Sequence, residues 1–216
     1  MNQYDSIGEE YTRQQREFFA GSLDWPREKI RKHLVDIRDK KILDIGCGGG
    51  DDMVWCQEQG ADVYGIDPSE KMLDLAREKI ADTTRVQSGG YTDIPFPDSS
   101  FDFVFGRFSL HYLPTFEDAY REVARVMKPG GILLETVNHP TFDVFALEGV
   151  TDKSLITLKL FNGKVTIQFP PHTLKDYFSD TFFRLFDLQE IDESESVDAE
   201  NPRNLPETLF FMAQRR

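Results

Sequence analysis

The chain has 216 residues, of which 39% are hydrophobic and 12% aromatic, and its formal net charge is −13. This length and composition predict one globular domain with a substantial core. The acidic balance argues against duplex DNA or long RNA as a partner, because phosphate backbones are bound by basic surfaces. No apolar run of about 18 residues and no signal-peptide pattern occurs, so no membrane span is predicted. The two cysteines, Cys47 and Cys56, are too few and too close for a disulfide framework, and we expect a reduced, cytoplasmic protein.

Residues 1–39 predict a cap of two helices. Residues 4–20 combine scattered aromatic and apolar side chains with a polar run, which is typical of a helix lying on a surface. A second helix is predicted to begin at Trp25, with Asp24 as its N-cap and Pro26 in its first turn.

Residues 40–137 alternate short apolar runs with helical patterns. Strands are predicted at 41–45, 62–66, 85–87, 101–105 and 132–137. Helices are predicted at 51–59, 68–80 and 116–127, and residues 128–131 are predicted to form a turn. Such alternation favours a parallel sheet with right-handed crossovers, which binds ligands at the carboxyl ends of its strands.

Residues 138–172 predict a substrate lid that contains a β-hairpin. Alternating apolar residues at 156–161 and 165–169 flank Asn162-Gly163, and Asn-Gly between alternating runs is typical of a hairpin turn.

Residues 173–216 predict one helix and the last two strands. Thr173, with Asp176 three residues later, indicates a helix N-terminus, and the helix is predicted to extend to about Phe182. Strands are predicted at 186–191 and 208–213, with the acidic residues 192–206 between them as a solvated loop.

The most informative stretch is residues 42–53, in which an apolar run ends at Gly46 and further glycines follow before Asp51. The dinucleotide fingerprint G-x-G-x-x-G fails, because a carboxylate at Asp51 would repel a pyrophosphate. The phosphate loop also fails, because no Lys-Ser or Lys-Thr follows Gly50. A ligand without phosphate but with positive charge suits a glycine loop flanked by acids, and S-adenosylmethionine is such a ligand.

Several stretches, in order and at matching spacing, resemble the class I S-adenosylmethionine-dependent methyltransferases, in particular the small-molecule group related to ubiquinone-biosynthesis methyltransferases. They are residues 42–50, 63–73, 94–104, 109–113 and 126–131. The resemblance implies an α/β, Rossmann-like, seven-stranded and mostly parallel sheet of order 3-2-1-4-5-7-6 with helices on both faces. The N-terminal helices and the hairpin would be additions to that fold.

The resemblance also implies a set of cofactor-binding residues. Gly46 and Gly48 would let the methionine end approach the main chain, with Cys47 as a small residue between them. Asp44 would hold the ammonium group. Asp67 would accept both ribose hydroxyls, unless it serves only as a helix cap.

Further contacts are implied at the adenine and at the lid. Pro68 and Met72 would contact the adenine. Arg107 would contact the cofactor, the alternative being a surface arginine, and Tyr11 would fold over the cofactor or pack on the sheet.

The chain departs from the family pattern at Gly90, where an acidic residue often receives the adenine amino group. Tyr91 and Thr92 would then supply the adenine contacts through their backbone. His111 is the candidate general base, because its ordinary pKa suits proton transfer near neutrality, although a structural role is the alternative. The histidines and cysteines show no metal-ligand spacing, so no metal is predicted.

These features predict methyl transfer from S-adenosylmethionine to the O, N or C nucleophile of a small molecule, with S-adenosylhomocysteine as product. Proximity and in-line orientation would provide most of the rate. We expect no nucleic-acid or membrane partner, and a monomer or homodimer. A regulatory module that binds the cofactor without catalysis and a nicotinamide-dependent oxidoreductase are the alternatives; Asp51 argues against the latter.

Overall fold

The computed structural model describes residues 3–20, 23–146, 154–194 and 205–216. The strands are β1 (Lys41–Ile45), β2 (Asp62–Asp67), β3 (Val86–Ser88), β4 (Phe101–Arg107), β5 (Met127–Asn138), β6 (Ile156–Leu160), β7 (Val165–Phe169), β8 (Phe186–Glu193) and β9 (Thr208–Arg215). The helices are α1 (Tyr4–Phe19), α2 (Trp25–His33), α3 (Asp51–Glu58), α4 (Glu70–Arg77), α5 (Glu117–Val126), α6 (Pro140–Ala146), α7 (Leu174–Tyr177) and α8 (Asp180–Leu185).

Seven strands form one sheet in the order β3-β2-β1-β4-β5-β9-β8. The first five are mutually parallel, and β9 runs antiparallel to both of its neighbours. The predicted order 3-2-1-4-5-7-6 is therefore confirmed, since the hairpin strands β6 and β7 form a separate sheet and only shift the numbering.

The predicted core strands and helices occur with small shifts, and one turn was predicted wrongly. Residues 128–131, predicted as a turn, lie within β5. The pairing explains the error: Phe101 pairs with Met127 and Phe103 with Ile132, so the residues between bulge out of the ladder. The residue types at 128–131, a lysine, a proline and two glycines, are typical of a turn. In the structure they form a bulge inside a longer strand.

Two apolar clusters cover the two faces of the sheet. Successive residues of a strand point to opposite faces, so in β1 Leu43 packs in one cluster and Ile42 in the other. Helix α2 covers the second face, where Ile30, Leu34 and Ile37 are all buried. The predicted cap of α2 is present, since the Asp24 side chain accepts a hydrogen bond from the Arg27 N–H at 3.2 Å.

The hairpin of β6 and β7 is confirmed, with a longer loop than Asn-Gly alone requires. Leu160 pairs with Val165, which leaves residues 161–164 as the loop. Phe161, predicted as a strand residue, instead adopts a left-handed backbone with φ of 53°. The inward face packs Ile156, Val165, Ile167 and Phe169 against Tyr4, Ile7 and Tyr11 of α1.

The single helix predicted after Thr173 is two helices. Thr173 and Asp176 form the expected capping box, but α7 ends at Tyr177 after one turn. The Ser179 side chain then accepts a hydrogen bond from the Phe182 N–H and begins α8, so a second cap interrupts the helix that apolar spacing alone predicts.

The predicted loop at 192–206 lies partly in β8, which extends to Glu193, and residues 195–204 fall outside the described residues. Residues 147–153 of the predicted lid fall outside them as well. None of the helices in the described part of the chain is both long and apolar enough to cross a bilayer.

Candidate active site

A cavity of about 760 Å³ lies at the carboxyl ends of β1, β2 and β4, between the glycine loop, α1 and the hairpin. Every residue predicted to bind the cofactor lines it. They are Tyr11, Asp44, Gly46, Cys47, Gly48, Asp67, Pro68, Met72, Tyr91, Thr92 and Arg107. The structure therefore brings together residues that are up to 96 positions apart in the chain, from Tyr11 to Arg107.

The glycine loop leaves β1 in a left-handed conformation that glycine adopts easily. The backbone φ angles of Gly46 and Gly48 are 76° and 51°. The N–H groups of Gly46 and Cys47 both donate to the Ile66 carbonyl oxygen, at 2.8 and 3.0 Å, and tie the loop to β2. A Cβ atom at Gly46 would overlap the Ser109 side chain, so this position tolerates only glycine.

Asp67 ends β2 and receives two backbone hydrogen bonds. The Gly48 N–H donates to Oδ2 at 3.0 Å, and the Ser69 N–H donates to Oδ1 at 2.9 Å. Burial raises the pKa of Asp67 to about 6, against the effect of these two bonds. A carboxylate has about four acceptor positions, so each oxygen keeps one for a ligand hydroxyl. The cap reading and the ligand reading are compatible in this geometry.

Asp44 lies in β1 directly below the glycine loop and is 3% exposed. Within the described residues, its side chain has no hydrogen-bond partner. Burial, and then the charge of Asp52, raise its pKa well above the ordinary value. A buried carboxyl group at a cavity wall without a partner is costly, and a ligand ammonium group would supply the missing charge.

Arg107 is not a surface arginine but part of a buried ion-pair network. Its Nε lies 2.9 Å from Asp52 Oδ2, and Arg27 Nε lies 2.9 Å from Asp52 Oδ1. Arg31 also reaches Asp52, at 3.3 Å. Burial opposes ionisation, but the three arginines outweigh it and hold the pKa of Asp52 below its ordinary value. The network joins α2, α3 and β4 beneath the cavity.

Asp51, the residue that argued against a pyrophosphate, is also balanced. Lys79 Nζ lies 2.7 Å and Arg16 Nη2 3.0 Å from its Oδ1. Because Arg16 belongs to α1 and Lys79 follows α4, this acid connects the cap helix to the core. Asp51 also lines the cavity.

The side of the cavity that was predicted to bind the adenine is a tight turn after β3. The N–H of Gly90 donates to the Asp93 carbonyl oxygen at 3.3 Å, and the Asp93 N–H donates back to Gly90 at 3.1 Å. Thr92 is exposed at the rim, whereas Tyr91 is 5% exposed and points into the core. A Cβ atom at Gly90 would meet nothing within 4 Å.

Aromatic side chains close the cavity on the side of α1 and the hairpin. Tyr11 packs edge-to-face on Tyr4 at a ring distance of 5.2 Å and on Phe161 at 5.8 Å. The hydroxyl groups of Tyr4 and Tyr112 lie 2.6 Å apart and connect α1 to the segment after β4. Tyr11 therefore packs beneath the hairpin while it lines the cavity, and its predicted contact with the cofactor stays a prediction.

His111 lies behind the cavity wall and does not line the cavity, in contrast to the role predicted for it. It is 1% exposed, and burial, with a smaller effect of His172, lowers its pKa to about 3. Its carbonyl oxygen accepts a hydrogen bond from His172 Nε2 at 2.9 Å. Its ring packs on Tyr112 at 4.4 Å and on Phe169 at 4.9 Å. We therefore assign no proton transfer to it.

Sequence reasoning missed Glu135, Ser109 and Asp52, and it gave no site role to Tyr4, Tyr112 or Phe169. Ser109 and Tyr112 belong to a stretch quoted for the resemblance, so their closeness to the site had a signal. Glu135 had a weaker one, a charged residue within the apolar run of β5. No group of three or more metal-ligating side chains occurs among the described residues.

Comparison with known proteins finds matches to methyltransferases over the core of the chain. Residues 43–134 match the family model of the Methyltransferase domain. A demethylmenaquinone methyltransferase of Staphylococcus aureus is 37% identical over 126 residues. That match covers 55% of this chain and 52% of the relative, so the chain spans about half the length of the relatives it matches.

Solved structures extend the similarity to nearly the whole chain. A candidate S-adenosylmethionine-dependent methyltransferase from Listeria monocytogenes superimposes with a TM-score of 0.72 at 25% identity, covering 88% of this chain and 98% of that one. A second S-adenosylmethionine-dependent methyltransferase, from Mesorhizobium loti, gives a TM-score of 0.69 at 23% identity, over 91% and 100% of the two chains. The second similarity concerns the fold alone.

The buried network predicts that Arg107→Met destabilises the protein. Asp52 would keep Arg27 and Arg31 but lose one charge-assisted hydrogen bond, which costs about 2 kcal/mol in the free energy of unfolding. Urea unfolding followed by circular dichroism measures this change. Arg121→Met is the control, because Arg121 pairs with Asp118 on the surface, where both side chains are more than half exposed, and we expect a change of about 0.5 kcal/mol or less. Equal stability of the two variants would contradict the energetic role of the network.

Proposed function

We propose that this chain, which carries the methyltransferase domain of the class I S-adenosylmethionine-dependent enzymes, transfers a methyl group from S-adenosylmethionine to a neutral aromatic small molecule. The observation that carries the proposal is that two buried acids with free acceptor positions, Asp67 and Asp44, both line the cavity. Asp67 has one acceptor position left on each oxygen, and Asp44 has no partner among the described residues. These are the groups that a ribose and an ammonium group require.

The residues fit the cofactor along the whole cavity. Asp67 binds the two ribose hydroxyls, and Asp44 binds the ammonium group, which restores charge balance to a buried carboxylate. The glycine loop admits the methionine end close to the main chain. Pro68 and Met72 face the adenine, and the turn at Gly90 and Tyr91 offers backbone groups to its edge. When bound, S-adenosylmethionine supplies a methyl group on a positively charged sulfur.

Among the described residues, no charged side chain lines the remaining part of the cavity, which binds the acceptor. Its walls come from α1, the segment after β4 and the hairpin, and they include Gln3, Tyr4, Tyr112, Leu155 and Phe169. Aromatic walls favour a flat apolar molecule. The relatives from Staphylococcus aureus are named for demethylmenaquinone, and a menaquinone-like ring is an acceptor of this kind.

Orientation is the main contribution of this chain to the reaction. Tyr4, Tyr11 and Tyr112 hold the acceptor against the cofactor and exclude water, and positioning of this kind accounts for much of the rate of methyl transfer. No histidine lines the cavity within the described residues, so the proposal does not require a general base. An electron-rich ring carbon attacks the methyl group without prior loss of a proton. The bond from carbon to sulfur breaks and S-adenosylhomocysteine leaves, and the methylated ring then releases its ring proton to solvent.

Isotope-labelled methyl transfer tests the proposed activity. The protein is incubated with labelled S-adenosylmethionine and a reduced demethylmenaquinone of short side chain, and the product is identified by mass spectrometry. The matched control acceptor is 1,4-dihydroxy-2-naphthoate, whose carboxylate would find no cationic partner among the described residues of the acceptor part. Methylation of 1,4-dihydroxy-2-naphthoate but not of the demethylmenaquinone would contradict the proposed acceptor class. Binding of the cofactor without transfer to any acceptor of a broad panel would favour a regulatory module.

We expect Asp67→Ala to weaken binding of S-adenosylhomocysteine by about 100-fold, as measured by calorimetry. The loss of two hydrogen bonds to a charged group is worth about 3 kcal/mol. Asp74→Ala is the control, since Asp74 lies exposed on α4 and does not line the cavity. Unchanged affinity of Asp67→Ala would remove the ribose assignment.

The same carboxyl group predicts a pH dependence of binding. The ionised form of Asp67 accepts hydrogen bonds, and its pKa is about 6. Affinity for S-adenosylhomocysteine should therefore be constant above this pH and fall as the pH decreases through it. Asp67→Asn cannot be protonated there, so its weaker binding should not show that step.

Gly90→Asp should strengthen cofactor binding. There is room for a side chain at this position, and the backbone φ of Gly90 lies outside the left-handed region. A carboxylate there would accept a hydrogen bond from the adenine amino group, for a gain of about fivefold to tenfold. The inosine analogue of S-adenosylhomocysteine lacks this amino group and should show no gain. An equal gain for both ligands would place the effect elsewhere.

A further inference from the structure

Tyr91 follows the glycine that replaces the usual adenine-binding acid, and its side chain enters the core. Its hydroxyl oxygen lies 3.0 Å from Ser109 Oγ and 3.0 Å from each side-chain oxygen of Glu135. Ser109 Oγ lies 2.7 Å from the Ile45 carbonyl oxygen. These contacts form one continuous chain of oxygens from β5 to the start of the glycine loop.

The number of hydrogens available decides how these contacts are made. The Ile45 carbonyl oxygen only accepts, so Ser109 donates its single hydroxyl hydrogen to it. In the contact between Tyr91 and Ser109 the hydrogen must then come from Tyr91. The contact between Tyr91 and Glu135 is left without a hydrogen unless the carboxyl group of Glu135 carries one. A neutral Glu135 completes a one-way chain in which each group donates to the next.

The surroundings of Glu135 favour the neutral acid. Its side chain is 1% exposed. Burial raises its pKa well above the ordinary value despite the opposing effect of the Tyr91 hydrogen bond, and the nearby Asp44 acts in the same direction as burial. The titratable groups that face it are Tyr91, Asp44, Tyr120 and Tyr177, all of which are acids. Within the described residues no lysine, arginine or histidine pairs with it.

Gly106 leaves the space that the hydrogen-bond chain occupies. A Cβ atom at Gly106 would overlap the Tyr91 hydroxyl and lie 2.6 Å from Glu135 Oε2. At its far end, Ser109 packs against Gly46 of the glycine loop. The chain thus joins the turn on the adenine side to the loop on the methionine side.

We propose that Glu135 is a neutral carboxylic acid whose O–H begins the hydrogen-bond chain Glu135 to Tyr91 to Ser109 to Ile45, and that this chain fixes the turn at residues 89–93 for the adenosine half of S-adenosylmethionine. The inference rests on the proposed function. Tyr91 and Glu135 act as positioning residues, and the chain compensates for the carboxylate that Gly90 does not provide.

Calorimetric titrations of four proteins test the role of the hydrogen-bond chain. They are the parent, Tyr91→Phe, Glu135→Leu and Glu135→Gln, each titrated with S-adenosylhomocysteine and with 5′-methylthioadenosine, which lacks the amino-acid end. Tyr91→Phe and Glu135→Leu should weaken both ligands by the same factor, about fivefold to tenfold, because the affected turn contacts the half that they share. Glu135→Gln keeps a neutral donor and should bind within about twofold of the parent with the same melting temperature.

Infrared difference spectroscopy of the parent against Glu135→Gln provides a readout that a merely structural role would not move. The parent should show the carbonyl band of a protonated carboxylic acid at neutral pH, with a shift in heavy water. Absence of that band, failure of Glu135→Gln to fold, or parent-like binding by Tyr91→Phe would each overturn the inference. If the parent binds neither ligand, the proposed function fails instead, and the infrared band still decides the protonation state of Glu135.

Discussion

The constraint that governs this site is the burial of four carboxyl groups, of which Asp44, Asp52 and Asp67 line the cavity and Glu135 lies behind its wall. A buried carboxylate is costly unless it is paired, hydrogen-bonded or neutral, and each of the four meets this condition differently. Asp52 is surrounded by three arginines, and Asp67 receives two backbone hydrogen bonds. Among the described residues, Glu135 faces titratable acids and the Tyr91 hydroxyl, and the Asp44 side chain has no hydrogen-bond partner. Asp52, Asp67 and Glu135 therefore have partners within the protein, and Asp44 is available to pair with a ligand.

The strands of the sheet could be predicted because they are short apolar runs separated by helical patterns, whereas their order came from the resemblance to a known family. The same local patterns located Asp44, Asp67 and the glycine loop, which all lie where a strand ends. Local patterns failed at two places. Residues 128–131 have the residue types of a turn, but strand pairing makes them a bulge within β5. The apolar spacing around Ser179 predicts one continuous helix, but a hydrogen bond to the Ser179 side chain begins a second one. Arg107 was placed at the cavity, but its partners come from α2 and α3, and no spacing in the sequence records that meeting.

The lid was predictable as elements but not as an assembly. Helix α1 and the hairpin are about 150 residues apart, yet Tyr11 and Phe161 contact each other across the cavity mouth. Hydrophobic periodicity shows that each element has an apolar face without showing what that face covers. His111 illustrates the opposite error: its ordinary pKa suited catalysis, but burial among Tyr112 and Phe169 lowers it to about 3.

Gly106 limits the order in which this site can change during evolution. While the Tyr91 hydroxyl occupies the space beside it, position 106 admits no side chain. A substitution at 106 is therefore tolerated only after residue 91 has become smaller, and a smaller residue at 91 leaves Glu135 without its buried partner. The three positions are expected to vary as a group among homologues, so an alignment that treats each column independently would miss the unit that they form.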